Sequence, residues 1–251
     1  MLTRETLDAH AAQDTPPAFT SAPISDEAIT LLGYQRTKQI SPRSRKSWEA
    51  GNPVPLRQEA RERRDTIFAG ALAEMWGEYM PLRSYLRDNR IAPASVIDIG
   101  CGQALPDLFL HHDFKPRFTL VDIEKTDEQY HNWAGSGAGY ASLDEATALL
   151  HGNGVAKTKV RPINPLKTPE AMAGLKADML ISFYSCGFHY PVDDYADLMR
   201  EVLEAGGTVC LDLRKRYLRR MPDTLAQLLE AGRRTDLFED PRSFRVVLTG
   251  G

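Results

Sequence analysis

One stretch constrains this chain more than any other: Val96-Ile97-Asp98-Ile99-Gly100-Cys101-Gly102-Gln103-Ala104. A β-branched run carrying Asp98 meets a turn with two glycines, then a helix-patterned stretch from Leu105 to His112. Glycines permit a tight turn and let backbone approach a ligand closely. The helix behind the turn offers N–H groups that have no partner inside the helix. A strand, turn and helix of this kind open a parallel α/β sheet, with the turn at the carboxyl end of the strand.

The chain repeats this alternation after about residue 94. Strands are predicted at Ser95 to Ile99, Phe118 to Asp122, Lys159 to Ile163, Met179 to Phe183, Thr208 to Leu213 and Arg245 to Thr249. Helices are predicted at Leu105 to His112, Ser142 to His151, Val192 to Ala205 and Pro222 to Ala231. The fold class expected is α/β, with a Rossmann-like, doubly wound, mainly parallel sheet. The 251 residues suffice for one large domain or for a domain with an appendage.

Residues 1 to 90 contain no convincing strand, and they read as an N-terminal helical extension or cap on a domain spanning 91–251. Thr3 to Ala12 reads as a short polar helix and Thr15 to Pro23, with three prolines, as a loop. Ser25-Asp26-Glu27 reads as a helix start. Arg36 to Trp48 holds five basic residues and no acidic one, and reads as a flexible segment. Leu56 to Tyr79 carries an apolar stripe at helical spacing, and Leu82 to Asn89 reads as a second short helix.

A formal charge of −3 excludes a globally basic nucleic-acid coat. No run of 18 apolar residues occurs, so no membrane-spanning helix is expected, and Met1 to Asp14 lacks the apolar core of a secretion signal. The three cysteines are far apart with no CxxC, which argues for a reduced, cytoplasmic protein without a disulfide framework or zinc site. No set of His, Asp or Glu has metal-ligand spacing.

The glycine turn discriminates between ligands. A dinucleotide fingerprint GxGxxG would place its third glycine at position 105, where Leu105 stands. A pyrophosphate favours N–H groups and positive charge, whereas Asp98 suits a cation. The Asp98-x-Gly100-x-Gly102 turn resembles motif I of the class I S-adenosylmethionine-dependent methyltransferases. That resemblance covers roughly residues 94 to 250. It implies the class I methyltransferase type of sheet, S-adenosylmethionine as cofactor, and a turn of Asp98, Gly100, Cys101 and Gly102 around its cationic amino-acid end. The family often has a third glycine where this chain has Ala104. A second strand ends in Asp122, 24 residues after Asp98. By the resemblance, Asp122 accepts the ribose hydroxyls, and Ile123 and Asn164 fall where the adenine is held.

By the same resemblance, the segment from Asp178 to Pro191 passes the sulfonium at Ser182 to Ser185 and houses the acceptor chemistry. It lacks the Asn/Asp-Pro-Pro-aromatic motif of enzymes that methylate base amines, and no proline precedes Cys186 as in cytosine carbon-5 enzymes. More loosely, the run resembles a loop of sugar and small-molecule O-methyltransferases. A hydroxyl acceptor benefits from a general base, and histidine suits that role. His189 is the candidate base or a pocket wall, and Tyr184 and Tyr190 line the pocket or orient the acceptor. His131 and Trp133 follow strand 2, at the mouth of the site or in a plain loop. Arg214 to Arg220 has five basic residues in seven, and with Arg36 to Lys46 it outlines a positive rim. That rim suits a phosphate- or carboxylate-bearing small molecule. It also suits RNA, which the net charge and the missing base-methylation motif disfavour. The competing readings are an RNA methyltransferase and a non-catalytic cofactor-binding partner protein.

Overall fold

The computed structural model describes residues 15–124 and 141–251. The helix expected at Thr3 to Ala12, His10, and the His131 and Trp133 segment lie outside the described residues.

The sheet explains the alternation. Strands β1 (Ser95–Ile99), β2 (Arg117–Val121), β3 (Val160–Ile163), β4 (Met179–Ser182) and β5 (Thr208–Arg214) run parallel. Strands β6 (Arg233–Glu239) and β7 (Ser243–Thr249) form an antiparallel hairpin whose β7 arm pairs with β5. Among the described residues the order is β3-β2-β1-β4-β5-β7-β6. It reverses direction between β1 and β4, the place where a doubly wound sheet opens a ligand crevice. This is a Rossmann-like, doubly wound sheet with an antiparallel hairpin at one edge.

Side-chain alternation gives the central strands two buried faces. Val96, Phe118, Leu120, Met179, Ile181, Cys210 and Val247 point into one core, while Ile97, Ile99, Val121, Leu180, Val209, Leu211 and Leu248 point into the other. The second core is closed by α7 (Ala196–Glu204), the one-turn α8 (Lys215–Leu218) and α9 (Asp223–Glu230). The first is closed by α1 (Asp26–Gln35), α3 (Val54–Glu62), α4 (Arg64–Asp88), α5 (Leu105–Phe114) and α6 (Leu143–Gly152). Ile29, Leu56 and Trp76 therefore share one core with Val96 and Phe118.

Three expectations are corrected. The segment Arg36 to Trp48 is ordered, with a 3-10 turn at Thr37–Gln39 and α2 (Pro42–Glu49). The Ser41 hydroxyl caps α2 by accepting from Ser44 N at 3.2 Å, and the Glu59 carboxylate accepts from both Ser41 N and Ser41 Oγ, which ties α2 to α3. Next, the helix predicted from Leu56 breaks at Arg63, whose backbone leaves the helical region (φ −120, ψ 22), and α4 then runs unbroken through Pro81 to Asp88. Burial of Leu82, Tyr85 and Leu86 offsets the cost of an interior proline. Finally, β6 was not predicted. Its Arg-Arg-Thr-Asp-Leu-Phe-Glu run is too charged to read as a strand, and such charges are what an edge strand uses to discourage further pairing. Among the described residues no helix is long and apolar enough to cross a membrane.

Candidate functional site

The glycine turn leaves β1 and folds back over the end of β2. Gly100 N and Cys101 N both donate to Val121 O, at 2.7 and 3.3 Å. Gly100, Gly102 and Ala104 all have positive φ, at 70°, 55° and 56°. The left-handed backbone at 104 gives a physical reason for glycine there, and alanine bears a small steric cost. Gly100 is required twice over. A Cβ there would stand 1.8 Å from Ser185 Oγ and 2.5 Å from Ser185 Cβ. Gly100→Ala is therefore expected to lower stability by about 2 kcal/mol or more and to push the Ser185 loop off the turn. Urea unfolding checks this, and an unchanged midpoint refutes the close fit.

Asp122 bridges the two strand ends. Its carboxylate accepts from Gly102 N at 2.9 Å and from Glu124 N at 2.8 Å. Burial pushes its carboxyl up to about 6, and those two N–H donors hold the rise in check. Asp98 is 2% exposed, and the buried Asp107 faces its carboxyl from the first turn of α5. Burial raises both acids well above the usual carboxylate range; for Asp98 the charges of Asp107 and then Asp122 add to it.

These groups form one wall of a cavity of about 400 Å³. Asp98, Gly100, Cys101, Gly102 and Asp122 line it from the turn; Tyr184, Ser185, His189 and Tyr190 line it from the loop after β4. Gln35 and Arg36 at the end of α1, Glu78 on α4 and Arg214 at the end of β5 complete it. The sequence-predicted residues Asp98, Gly100, Cys101, Gly102, Asp122, Tyr184, His189 and Tyr190 are thus brought together.

Three others stand apart from the lining. Ser182 Oγ donates to Ile99 O at 2.7 Å and accepts from Cys186 N at 2.9 Å, so it pins the end of β4 to β1. Asn164 Nδ2 donates to Ile123 O and to the Glu124 carboxylate, while its Oδ1 accepts from Leu166 N and Lys167 N. That network holds the loop after β3. Ile123 joins it through its carbonyl.

The loop after β4 is held from behind. Tyr184 has a positive φ of 51°, and its N–H donates to Asp212 Oδ2 at 3.1 Å. Arg245 grips the Asp212 carboxylate through Nε at 2.8 Å and Nη2 at 2.7 Å, donates to Glu78 O, and lies 3.7 Å over the Phe183 ring. His189 N and Phe188 N donate to Ser185 O, and the His189 ring sits edge-on to Phe188 with centroids 5.0 Å apart. The Tyr190 hydroxyl meets Ser185 Oγ at 3.1 Å, and burial keeps its phenol protonated. Burial likewise raises the thiols of Cys101 and Cys186, which makes them poor nucleophiles.

Of the two predicted basic clusters, Arg36 and Arg214 reach the cavity. Arg36 donates to both Glu78 oxygens, at 2.8 and 2.9 Å. Arg214 lies 4.5 Å over the Phe188 ring, and burial followed by the charges of Arg216 and Arg242 lowers its pKa. Sequence reasoning missed Asp107, Glu78, Asp212 and Gln35. Asp107 had a visible signal, as an acid within the apolar run Leu105-Pro106-Asp107-Leu108-Phe109-Leu110.

No protein-family profile and no curated protein sequence matches the chain. Solved structures do resemble it. One is a ribosomal protein L11 methylase from Lactobacillus delbrueckii subsp. bulgaricus, at 15% identity and a TM-score of 0.45, covering 68% of this chain and 78% of that one. Another is an O-methyltransferase family protein from Burkholderia thailandensis, at 10% identity and 0.46, covering 77% and 63%. A third is a cyclopropane-fatty-acyl-phospholipid synthase-like protein from Lactobacillus casei, at 12% identity and 0.45, covering 72% and 93%. The fold class itself rests on the strand order given above.

Proposed function

We propose that this chain is an S-adenosylmethionine-dependent methyltransferase whose acceptor is a small molecule, a sugar or natural-product hydroxyl. The observation that carries the reading is the convergence of Asp98, Asp107 and Asp122 at one glycine turn beside a cavity of small-molecule size. Neither oxygen of the Asp107 carboxylate receives a hydrogen bond. Buried carboxylates left without a cation fit a ligand that brings one, and an ammonium with a nearby sulfonium meets that need. Asp98 and the turn would hold the amino-acid end, and Asp122 the ribose hydroxyls.

When bound, S-adenosylmethionine supplies an electrophilic methyl group. The chain's own part is to align the acceptor, take its proton and exclude water. In this reading His189 takes the hydroxyl proton, with its ring set by Phe188. Tyr184 and the protonated Tyr190 orient the acceptor. Arg214, on the Phe188 face, recognises a carboxylate or phosphate on it. The described part of the N-terminal segment, residues 15–90, acts as a cap, with Gln35 and Arg36 on the cavity wall.

Calorimetric titration with S-adenosylmethionine and S-adenosylhomocysteine tests the cofactor, with NAD as a control. Binding of the first two but not NAD is expected, and Asp122→Ala should weaken it at least tenfold, roughly the value of a charge-assisted hydrogen bond. Failure of the wild-type chain to bind either sinks the reading. The exposed Arg216, Arg219 and Arg220 beside Arg214 favour RNA as the second acceptor class. Steeply salt-dependent RNA binding would move the proposal there.

A further inference from the structure

Asp107 stands five residues beyond Gly102, in the first turn of α5. It is 0% exposed, and neither of its carboxyl oxygens has a hydrogen-bond donor. The Asp98 carboxyl that faces it lines the cavity. A hydrogen bond between two carboxyls exists only while one of them holds a proton. The surroundings offer no relief. The end of β2 contributes the Asp122 carboxylate, and the turn contributes Cys101 and the neutral Gln103. Gln35 from α1 and the protonated Tyr190 from the loop after β4 are also neutral. Arg36 and Arg214 line the same cavity, but Arg36 is engaged by Glu78 and Arg214 by the Phe188 face.

We propose that Asp107 is a positioning residue that acts through Asp98. The two carboxyls share one proton while the cavity holds no cation, and they release it when the ammonium of an amino-acid-bearing nucleoside takes its place. The O–H bond of the shared acid breaks, an O–H bond forms on a water molecule that passes the proton to buffer, and no covalent bond to the ligand forms. The carboxylate pair then carries the charge that meets the ligand's ammonium. This inference rests on the cofactor reading above.

The test is titration of the full chain with S-adenosylhomocysteine near pH 6 and near pH 8, in buffers of different ionisation enthalpy, for wild type and Asp107→Asn. Wild type should release a proton on binding and bind more tightly at the higher pH. Asp107→Asn should bind roughly tenfold more weakly near pH 8 and should lose the proton release. 5′-Methylthioadenosine, which lacks the ammonium, should displace no proton from either protein.

The ligand-free protein supplies a second readout. An acid whose pKa is raised on folding contributes stability while protonated, present below its unfolded value near 4 and lost as pH rises through the folded one. Wild-type melting temperature should therefore fall from about pH 5 to about pH 8 more steeply than that of Asp107→Asn. Equal affinity and equal proton release in the two proteins overturn the inference and leave the cofactor reading standing. Binding by wild type without proton release does the same, and needs no folded variant. If wild type does not bind S-adenosylhomocysteine, the cofactor reading fails, and this inference with it.

Discussion

Arg245→Leu is expected to cost about 3–5 kcal/mol of folding free energy, because it strands a buried charge. Arg245 and Asp212 are each 1% exposed, and two hydrogen bonds join them. Removing the guanidinium leaves the carboxylate with the Tyr184 N–H alone, and leaves the Glu78 carbonyl without the donor it has in Arg245. Burial already raises Asp212, with Arg245 opposing that rise. In the variant Asp212 should hold its proton to higher pH, so the deficit should be smaller near pH 5 than near pH 8. Replacing both members by apolar residues of similar volume should recover much of the loss. Urea unfolding at both pH values decides the matter, and a deficit below about 1 kcal/mol at each would mean that the pair is not the anchor described. The effect should extend to the site, since Asp212 holds the backbone of Tyr184 at its positive φ.

His189→Ala should lower turnover by about 10²- to 10⁴-fold, the usual worth of a positioned general base. Affinity for S-adenosylhomocysteine should stay within about twofold of wild type, because in the proposed reading the cofactor is held by the glycine turn, Asp98 and Asp122 and not by His189. The loop should survive the change, since its turn is closed by the backbone bonds from Phe188 and His189 to Ser185. Turnover measured on an accepted hydroxyl substrate beside a calorimetric affinity separates the two effects. Unimpaired turnover would reduce His189 to a pocket wall, and lost cofactor affinity would place it on the wrong side of the cavity.

Much of the fold was legible because it is written in local patterns. β-Branched runs buried on both faces, separated by helical periodicity, left few architectures open for residues 95–249. The glycine turn was legible because only certain residues tolerate its backbone, as the positive φ at Gly100 and Gly102 illustrates. Helix boundaries in the N-terminal part were not. Pro81 argues locally for a break, yet packing of Leu82, Tyr85 and Leu86 carries α4 through it. The segment after Arg36 looked flexible because Arg36 to Trp48 holds five basic residues and no acidic one. Two of the partners that order it, Glu59 for Ser41 and Glu78 for Arg36, lie 18 and 42 residues away.

The same division runs through the site. The sequence alone determined the kind of sheet, the position of the turn, and the placing of Asp98 and Asp122 at adjacent strand ends, because a parallel sheet puts all its strand ends on one edge. Asn164 and Ser182 also stand at strand ends, where hydrogen bonds with Glu124, Ile99 and Cys186 hold them. Only the tertiary structure decided that, and only it set Asp107 against Asp98 and closed Arg245 on Asp212. Arg245 and Asp212 stand 33 residues apart, and the energies of both pairs depend on burial, which no local pattern encodes.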